Sequence, residues 1–371
     1  MTLAVATAYN AVDAADKKPL KVFVLVGQSN MQGHARTTTM EHIGMDPKTK
    51  PWLDDLQKSD GSPKVFENVL ISYLSKGLKE GALTAGFGAD ESKFGPELGF
   101  GMTLDKQLDE PVLIIKAAWG GKSLYSDFRP PSAGLYKDDK EKSGHYYRLT
   151  IAHVKDVLAN ISRVYPDYDK SQGYQLCGFV WFQGWNDMVN GTVYPNRGGE
   201  GGYDEYSKLM DLFIRDIRKD LSAPNLPFVI GVMGAGGPTK EYVGGQKRYA
   251  GIHQNFRDAM AASANKPEFK GNVAAVLTEK YWDMELTALK RRDGEVSKKV
   301  KKIQAEQKLK GKEVRELRAK MRKEEFSDLD LKKMEIGISN AEFHYLGSGK
   351  VMAGIGIGFA EAVLKLHENK K

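Results

Sequence analysis

Five short apolar runs, separated by longer stretches of helical spacing, constrain this fold more than any other feature. The runs cover residues 21–26, 112–118, 176–182, 227–233 and 273–278. They are mostly rich in β-branched residues and lack polar alternation, as expected of strands covered on both faces. Helical patterns fill residues 97–108, 146–162, 203–221 and 247–264, and a closing one spans 351–367. This alternation predicts one three-layer α/β domain around a central parallel sheet of five strands, with right-handed crossovers. Residues 33–93, 125–144 and 190–202 are too long for simple connections. Long loops at the carboxyl edge of such a sheet usually shape a substrate site. No internal repeat is visible.

The 371 residues suit one α/β domain with insertions, and the hydrophobic (41%) and charged (28%) contents are ordinary for a globular protein. No run approaches the ~20 apolar residues of a membrane span, so no membrane is expected as a partner. The formal charge of +7 suggests nucleic acid, but its location argues otherwise. Between Lys290 and Lys333 lie 17 basic and 9 acidic residues, while the rest of the chain holds 38 basic and 39 acidic. The charged segment, about 286–333, sets Val300 and Ile303, then Val314, Leu317 and Met321, at helical spacing on either side of Gly311. It predicts an inserted, solvated helical hairpin, suited to homo-oligomer formation. Interleaved acids and a single aromatic, Phe326, argue against nucleic acid. Cys177, the one cysteine, excludes an internal disulfide and reads as a small buried hydrophobe. Residues 1–18 read as a leader. Their small apolar stretch and Val12-Asp13-Ala14 resemble the tail of an export signal, which implies a periplasmic or secreted location. The stretch is short and has no Lys or Arg ahead of it, so a cytoplasmic location stays open.

Four blocks carry chemistry, each at the end of an apolar run or just before the closing helix. The first run ends in Gly27-Gln28-Ser29-Asn30-Met31, which puts the Ser29 hydroxyl at the carboxyl end of a strand. The second ends in Trp119-Gly120-Gly121-Lys122, where paired glycines let a backbone N–H approach a ligand closely. The third ends in Phe182-Gln183-Gly184-Trp185-Asn186-Asp187, where Gln183 or Asn186 can donate to an oxyanion and Trp185 can stack on a sugar. The fourth, Asn340 to Gly347, sets His344 just before the closing helix, where a hydrolytic site wants its base. His34, just after the serine turn, is a candidate pocket residue. No cluster of His, Cys and carboxylates has ligand spacing, so neither a metal nor a cofactor is expected.

Together these blocks resemble the SGNH hydrolase superfamily, and within it the sialate O-acetylesterase and carbohydrate esterase family six branch. The signature Gly-Gln-Ser-Asn-Met stands at Gly27 to Met31. Gly120-Gly121, Phe182 to Asp187 and Phe343-His344 match the remaining blocks. The resemblance implies a three-layer flavodoxin-like fold over residues 19–371 and hydrolysis of acetyl esters on a sugar or polysaccharide. It makes Ser29 the nucleophile and His344 the general base. The oxyanion donors would be the amides of Ser29 and of Gly120 or Gly121 together with a side-chain amide. That side chain is Gln183 if the family's block sets the register and Asn186 if the wider superfamily's does; Gln183, nearer the strand end, is the expected donor. Gln28, His34 and Trp185 are expected at the substrate.

One departure stands out. The family carries aspartate three residues before the histidine, where this chain has Ala341. Glu342, Asp283 and Glu279 are the carboxylates in reach by sequence, and a backbone carbonyl is a further acceptor. Loss of the carboxylate also allows a different reading, a catalytically impaired carbohydrate-binding protein on a hydrolase scaffold.

Overall fold

The structure, a computed structural model, describes residues 18–368. The leader expected at 1–18 therefore falls, up to residue 17, outside the described residues. Nine strands occur in chain order: β1 (Leu20–Gly27), β2 (Ala35–Arg36), β3 (Phe66–Leu74), β4 (Leu78–Leu83), β5 (Lys93–Phe94), β6 (Val112–Ala118), β7 (Tyr174–Phe182), β8 (Phe228–Val232) and β9 (Val273–Leu277). Seven of them build one sheet in the order β4-β3-β6-β1-β7-β8-β9, and β2 pairs with β5 in a small ribbon. Every pairing in the large sheet is parallel except β3 with β4.

The sheet has seven strands where five were expected. The missing pair is a hairpin inside residues 33–93. Its first strand is interrupted by Glu67, Asn68 and Ser72, and its second reads Lys79-Glu80-Gly81, so neither looks like a buried run. The Ser72 hydroxyl is buried only because it donates to Glu80 Oε1 at 2.7 Å. Such cross-strand compensation leaves no trace in a one-dimensional hydrophobic pattern.

Side chains alternate across β7 and meet helices on both faces. Phe179 and Trp181 pack against Phe213 of the helix Asp204–Asp220. Phe182 packs against Phe359 of the closing helix Gly349–Glu368, which also lies on the helix Pro96–Gln107. The buried end of β7, residues 179–182, is thus apolar on both faces, which explains the continuous run there. No helix of the described residues is long and apolar enough to cross a membrane.

The charged segment forms three helices rather than two: Met284–Gln307, Lys312–Glu325 and Asp328–Gly337. Gly311 separates the first two, as its position predicts. Leu289, Val296, Val300, Phe326 and Met334 make a small core of their own, with Val314, Leu317 and Met321 packed against it. The third helix begins at a capping box, Ser327 with Asp330, where two short polar side chains satisfy each other's backbone N–H groups.

Candidate active site

β1 lies between β6 and β7, and its last residue, Gly27, pairs with Ala118 on one side and Phe182 on the other. The ends of three sequence blocks therefore meet at the point where strand order reverses. Gly27 is required there by space: a Cβ would lie 2.1 Å from the Phe182 carbonyl oxygen. The chain then enters the short helix Ser29–Gln32. Ser29 is 8% exposed, and its hydroxyl makes no hydrogen bond within the described residues. It opens onto a cleft of about 670 Å³ that is also lined by His34, Lys93, Gly120, Asn186 and His344.

Gln28, expected at the substrate, does line the cleft, but its side chain is bonded to the protein. Its Oε1 accepts from the Gly184 amide at 3.0 Å and Gln183 Nε2 at 3.2 Å, and its Nε2 donates to Asn186 Oδ1 at 3.0 Å. Both ends of the side chain are engaged in joining the first block to the third. Asn30 joins the first to the fourth, because its Nδ2 donates to the Phe343 carbonyl at 3.1 Å. Asp187 joins the third to the second. It accepts from the amides of Leu124 and Tyr125 at 2.8 and 3.1 Å, from Gln183 Nε2 at 2.6 Å and from the Tyr194 hydroxyl at 3.0 Å. Burial pushes its carboxyl up to about 6, while these four donors hold it down.

The two candidate side-chain donors part company here. Gln183 is buried, and its Nε2 is committed to Gln28, Asp187 and the Lys122 carbonyl at 2.9 Å. Two N–H bonds facing three acceptors leave nothing for a ligand. Asn186 lines the cleft and has only its Oδ1 tied, so its Nδ2 is available. Gly120 has its bare face toward the serine: a Cβ built there would lie 3.8 Å from Ser29 Cβ and 3.0 Å from Gln32 Oε1. The amides of Ser29, Gly120 and Gly121 donate to no other protein group among the described residues.

His344 sits in a tight turn, Glu342–Gly347, in which Tyr345 and Leu346 hold left-handed φ of 52° and 61°. Two successive non-glycine residues there cost about 1–3 kcal/mol each. The buried Tyr345 hydroxyl maintains them, accepting from the Gly234 amide at 2.8 Å and lying 2.6 Å from Thr278 Oγ1. The partner of His344 Nδ1 is Asn340 Oδ1, 3.0 Å away. None of the three carboxylates in reach by sequence contacts the imidazole. Glu342 pairs with Lys290 at 3.2 Å, Glu279 with Arg257, and Asp283 caps the helix Met284–Gln307 and pairs with Lys350 at 3.2 Å.

His34 stacks flat on His344, with ring centroids 3.9 Å apart and planes 1° from parallel. Burial, then the Lys93 ammonium, pushes His344 down to about 4, so the imidazole is neutral at ordinary pH. His34 is likewise pushed down to about 4, by burial first and then by His344. Beside them, Phe343 lies 4.4 Å from the His344 ring and Trp185 packs on Phe343 at 5.6 Å, making an aromatic wall.

Several contributors were not singled out by sequence. Asn340 opens the fourth block, but as a carboxamide it carries no sequence signal of a histidine partner. Ser75 and Lys76 reach the cleft from the turn between β3 and β4, the hairpin that looked like loop. Lys116, inside an apolar run, is fully buried against Glu97 at 2.7 Å and also donates to the carbonyls of Gln32 at 2.8 Å and Phe87 at 2.7 Å. Among the described residues no group of three or more His, Cys, Asp and Glu side chains converges as a metal site.

The arrangement can position a serine hydroxyl, a neutral imidazole with a fixed tautomer and several free N–H groups around one polar cleft. A family model described as carbohydrate esterase, sialic acid-specific acetylesterase, matches residues 19–275, so His344 lies beyond the matched span. Among solved structures, a protein from Arabidopsis thaliana is similar at 18% identity and TM-score 0.42, over 70% of this chain and 86% of its own. A carbohydrate acetylesterase from Xanthomonas citri is similar at 14% identity and TM-score 0.41, over 69% of this chain. This chain covers 49% of that protein, about half its length. NanS is similar at 16% identity and TM-score 0.36, over 70% of this chain and 78% of its own. No curated protein matches the chain.

Proposed function

The chain belongs to the carbohydrate esterase family of sialic acid-specific acetylesterases, and from that premise we propose that it hydrolyses sugar O-acetyl esters with Ser29 as nucleophile. The observation that carries this reading is the sharing of one cleft by Ser29, whose hydroxyl is unengaged, and His344, whose Nδ1 is held by Asn340. Ser29 Oγ attacks the acetyl carbonyl while His344 Nε2 takes its proton. The negative oxygen is met by the amides of Ser29 and Gly120 and by Asn186 Nδ2. The sugar oxygen leaves with the proton from His344. Water, deprotonated by the same imidazole, then releases acetate and restores the serine. Of the lysines in the lining, Lys93 is paired with Asp90 and Lys122 with Asp127, and Lys76 adds a further cation to the cleft.

Asn340 takes the place of the missing carboxylate. A carboxamide oxygen that accepts from Nδ1–H fixes the tautomer and orientation of the ring, as in the Cys–His–Asn variant of the triad, without adding a negative charge. This removes the main support for a non-catalytic protein, which rested on Ala341. An organophosphonate is therefore expected to label Ser29, and acetylated glycans are expected to release acetate. A folded protein that stays unlabelled and releases nothing would return the carbohydrate-binding reading.

The pH dependence follows from the lowered imidazole. His344 acts as a base only when neutral, so activity is present above about 4 and falls as pH drops through that value. With p-nitrophenyl acetate, kcat/KM should be level across the mildly acidic and neutral range, with its acid limb near 4. Asn340→Asp sets an anion beside Nδ1, favours the imidazolium and moves that limb upward by about 1–3 units. An unmoved limb would show that Asn340 does not govern the base.

A further inference from the structure

A second cavity of about 560 Å³ adjoins the cleft, and Lys122 and Tyr146 line both. The Lys122 ammonium stands 4.5 Å from the Tyr146 ring centroid, so this pair is the sill between the two spaces. The far wall is the loop between β6 and the helix His145–Ala159, which contributes Tyr136, Asp139 and Glu141. We propose that this cavity is a subsite for a neighbouring sugar ring, so that the enzyme prefers acetylated oligosaccharides to free acetylated monosaccharides. The inference rests on the esterase reading and extends it.

Three observations support it. The wall is built rather than incidental. Arg129 donates to the carbonyls of Tyr125, Ala133 and Gly134, and Arg148 to those of Lys140, Glu141 and Ser143. Two guanidinium groups thus lace an exposed loop from both ends, and Lys137 and Asp138 are held at left-handed φ of 53° and 54°. Strain of about 1–3 kcal/mol at each persists only where surrounding bonds enforce it. The chemistry also differs from that of the main cleft. Lys122, Lys137 and Lys142 are matched by Asp127, Asp139 and Glu141, so the cavity carries no excess charge. Paired donors and acceptors beside the Tyr136 and Tyr146 rings suit the hydroxyls and apolar face of a neutral sugar. Finally, the size is that of a small-ligand site, and the cavity shares Lys122 and Tyr146 with the cleft that holds Ser29.

The test compares kcat/KM on p-nitrophenyl acetate with that on chemically acetylated mono- and trisaccharides of glucose, xylose, mannose and N-acetylneuraminic acid. In at least one series the trisaccharide should exceed the monosaccharide about tenfold, the worth of one well-packed subsite contact. Tyr136→Ala should remove that advantage and leave the aryl acetate unchanged. Tyr136 also packs on Tyr125 at 5.2 Å. Glu141→Ala, at a side chain that makes no hydrogen bond or ion pair among the described residues, should therefore lower the trisaccharide rate alone, by about threefold. Equal rates for both chain lengths in every series, or variants that slow the aryl acetate equally, would overturn the subsite. An unaltered enzyme inert on the aryl acetate and on every sugar would overturn the esterase reading itself.

Discussion

Ser29→Ala is expected to fold normally and to lose acetate release by about five to six orders of magnitude relative to the unaltered protein. Two features of the serine decide this. Its hydroxyl bonds to nothing among the described residues, so removing it leaves no buried partner there orphaned, and stability should change by less than about 0.5 kcal/mol. The other serine in the cleft lining, Ser75, has its hydroxyl engaged by Gln32 Nε2 at 2.8 Å. Nucleophile deletions in serine hydrolases cost about this much, the residue of activity coming from the oxyanion donors and binding. Acetate release and a thermal melt on the same preparation check both halves. A variant that kept a tenth of the activity would remove Ser29 from the mechanism, and one that failed to fold would contradict the environment described for it.

Lys116→Met is expected to destabilise the protein by about 3–5 kcal/mol and to weaken catalysis without touching a reacting group. Lys116 and Glu97 are both 0% exposed. Burial pushes Glu97 up and Lys116 down, and each opposes the shift of the other through its charge. The ammonium form prevails because Nζ has three oxygen acceptors, which takes three hydrogens. One of them is the Gln32 carbonyl, the last residue of the short helix that begins at Ser29. The variant would strand Glu97, which retains only its bond from the Gly95 amide, and would release the end of the serine turn. Denaturant melts measure the first effect and kcat on p-nitrophenyl acetate the second. The double variant Lys116→Met/Glu97→Gln should recover part of the stability, since no charge is then buried unpaired. A single variant within 1 kcal/mol of the parent would show that water reaches the pair.

The fold and the site were legible to different degrees. Strands β1, β6, β7 and β8 announced themselves because helices cover both faces of the sheet there and long stretches of continuous burial demand apolarity, while the edge strand β9, only partly buried, was legible from its apolar composition alone. β3 and β4 did not, because an antiparallel pair at the sheet edge carries polar positions that only its partner satisfies. The same mismatch hid Lys116, a charge within a fully buried strand. The four blocks were visible as local sequence, but the division of labour within them was not. Gln28, Asn30 and Asp187 are bridges between blocks, and each bridge spans more than sixty residues of chain.

By itself the sequence determined what is local: five central strands, the glycine turn that puts Ser29 at a strand end, the histidine before the closing helix and a charged helical segment ahead of it. These follow from backbone sterics and from periodic burial, which act over a few residues. Only the tertiary structure decided which amide is free. Gln183 and Asn186 are equivalent by composition, and Gln28, 155 residues before Gln183, binds one end of each. It also decided what stands behind His344. The fold put Asn340 Oδ1 3.0 Å from Nδ1, while Glu342, Glu279 and Asp283 are turned toward cations elsewhere.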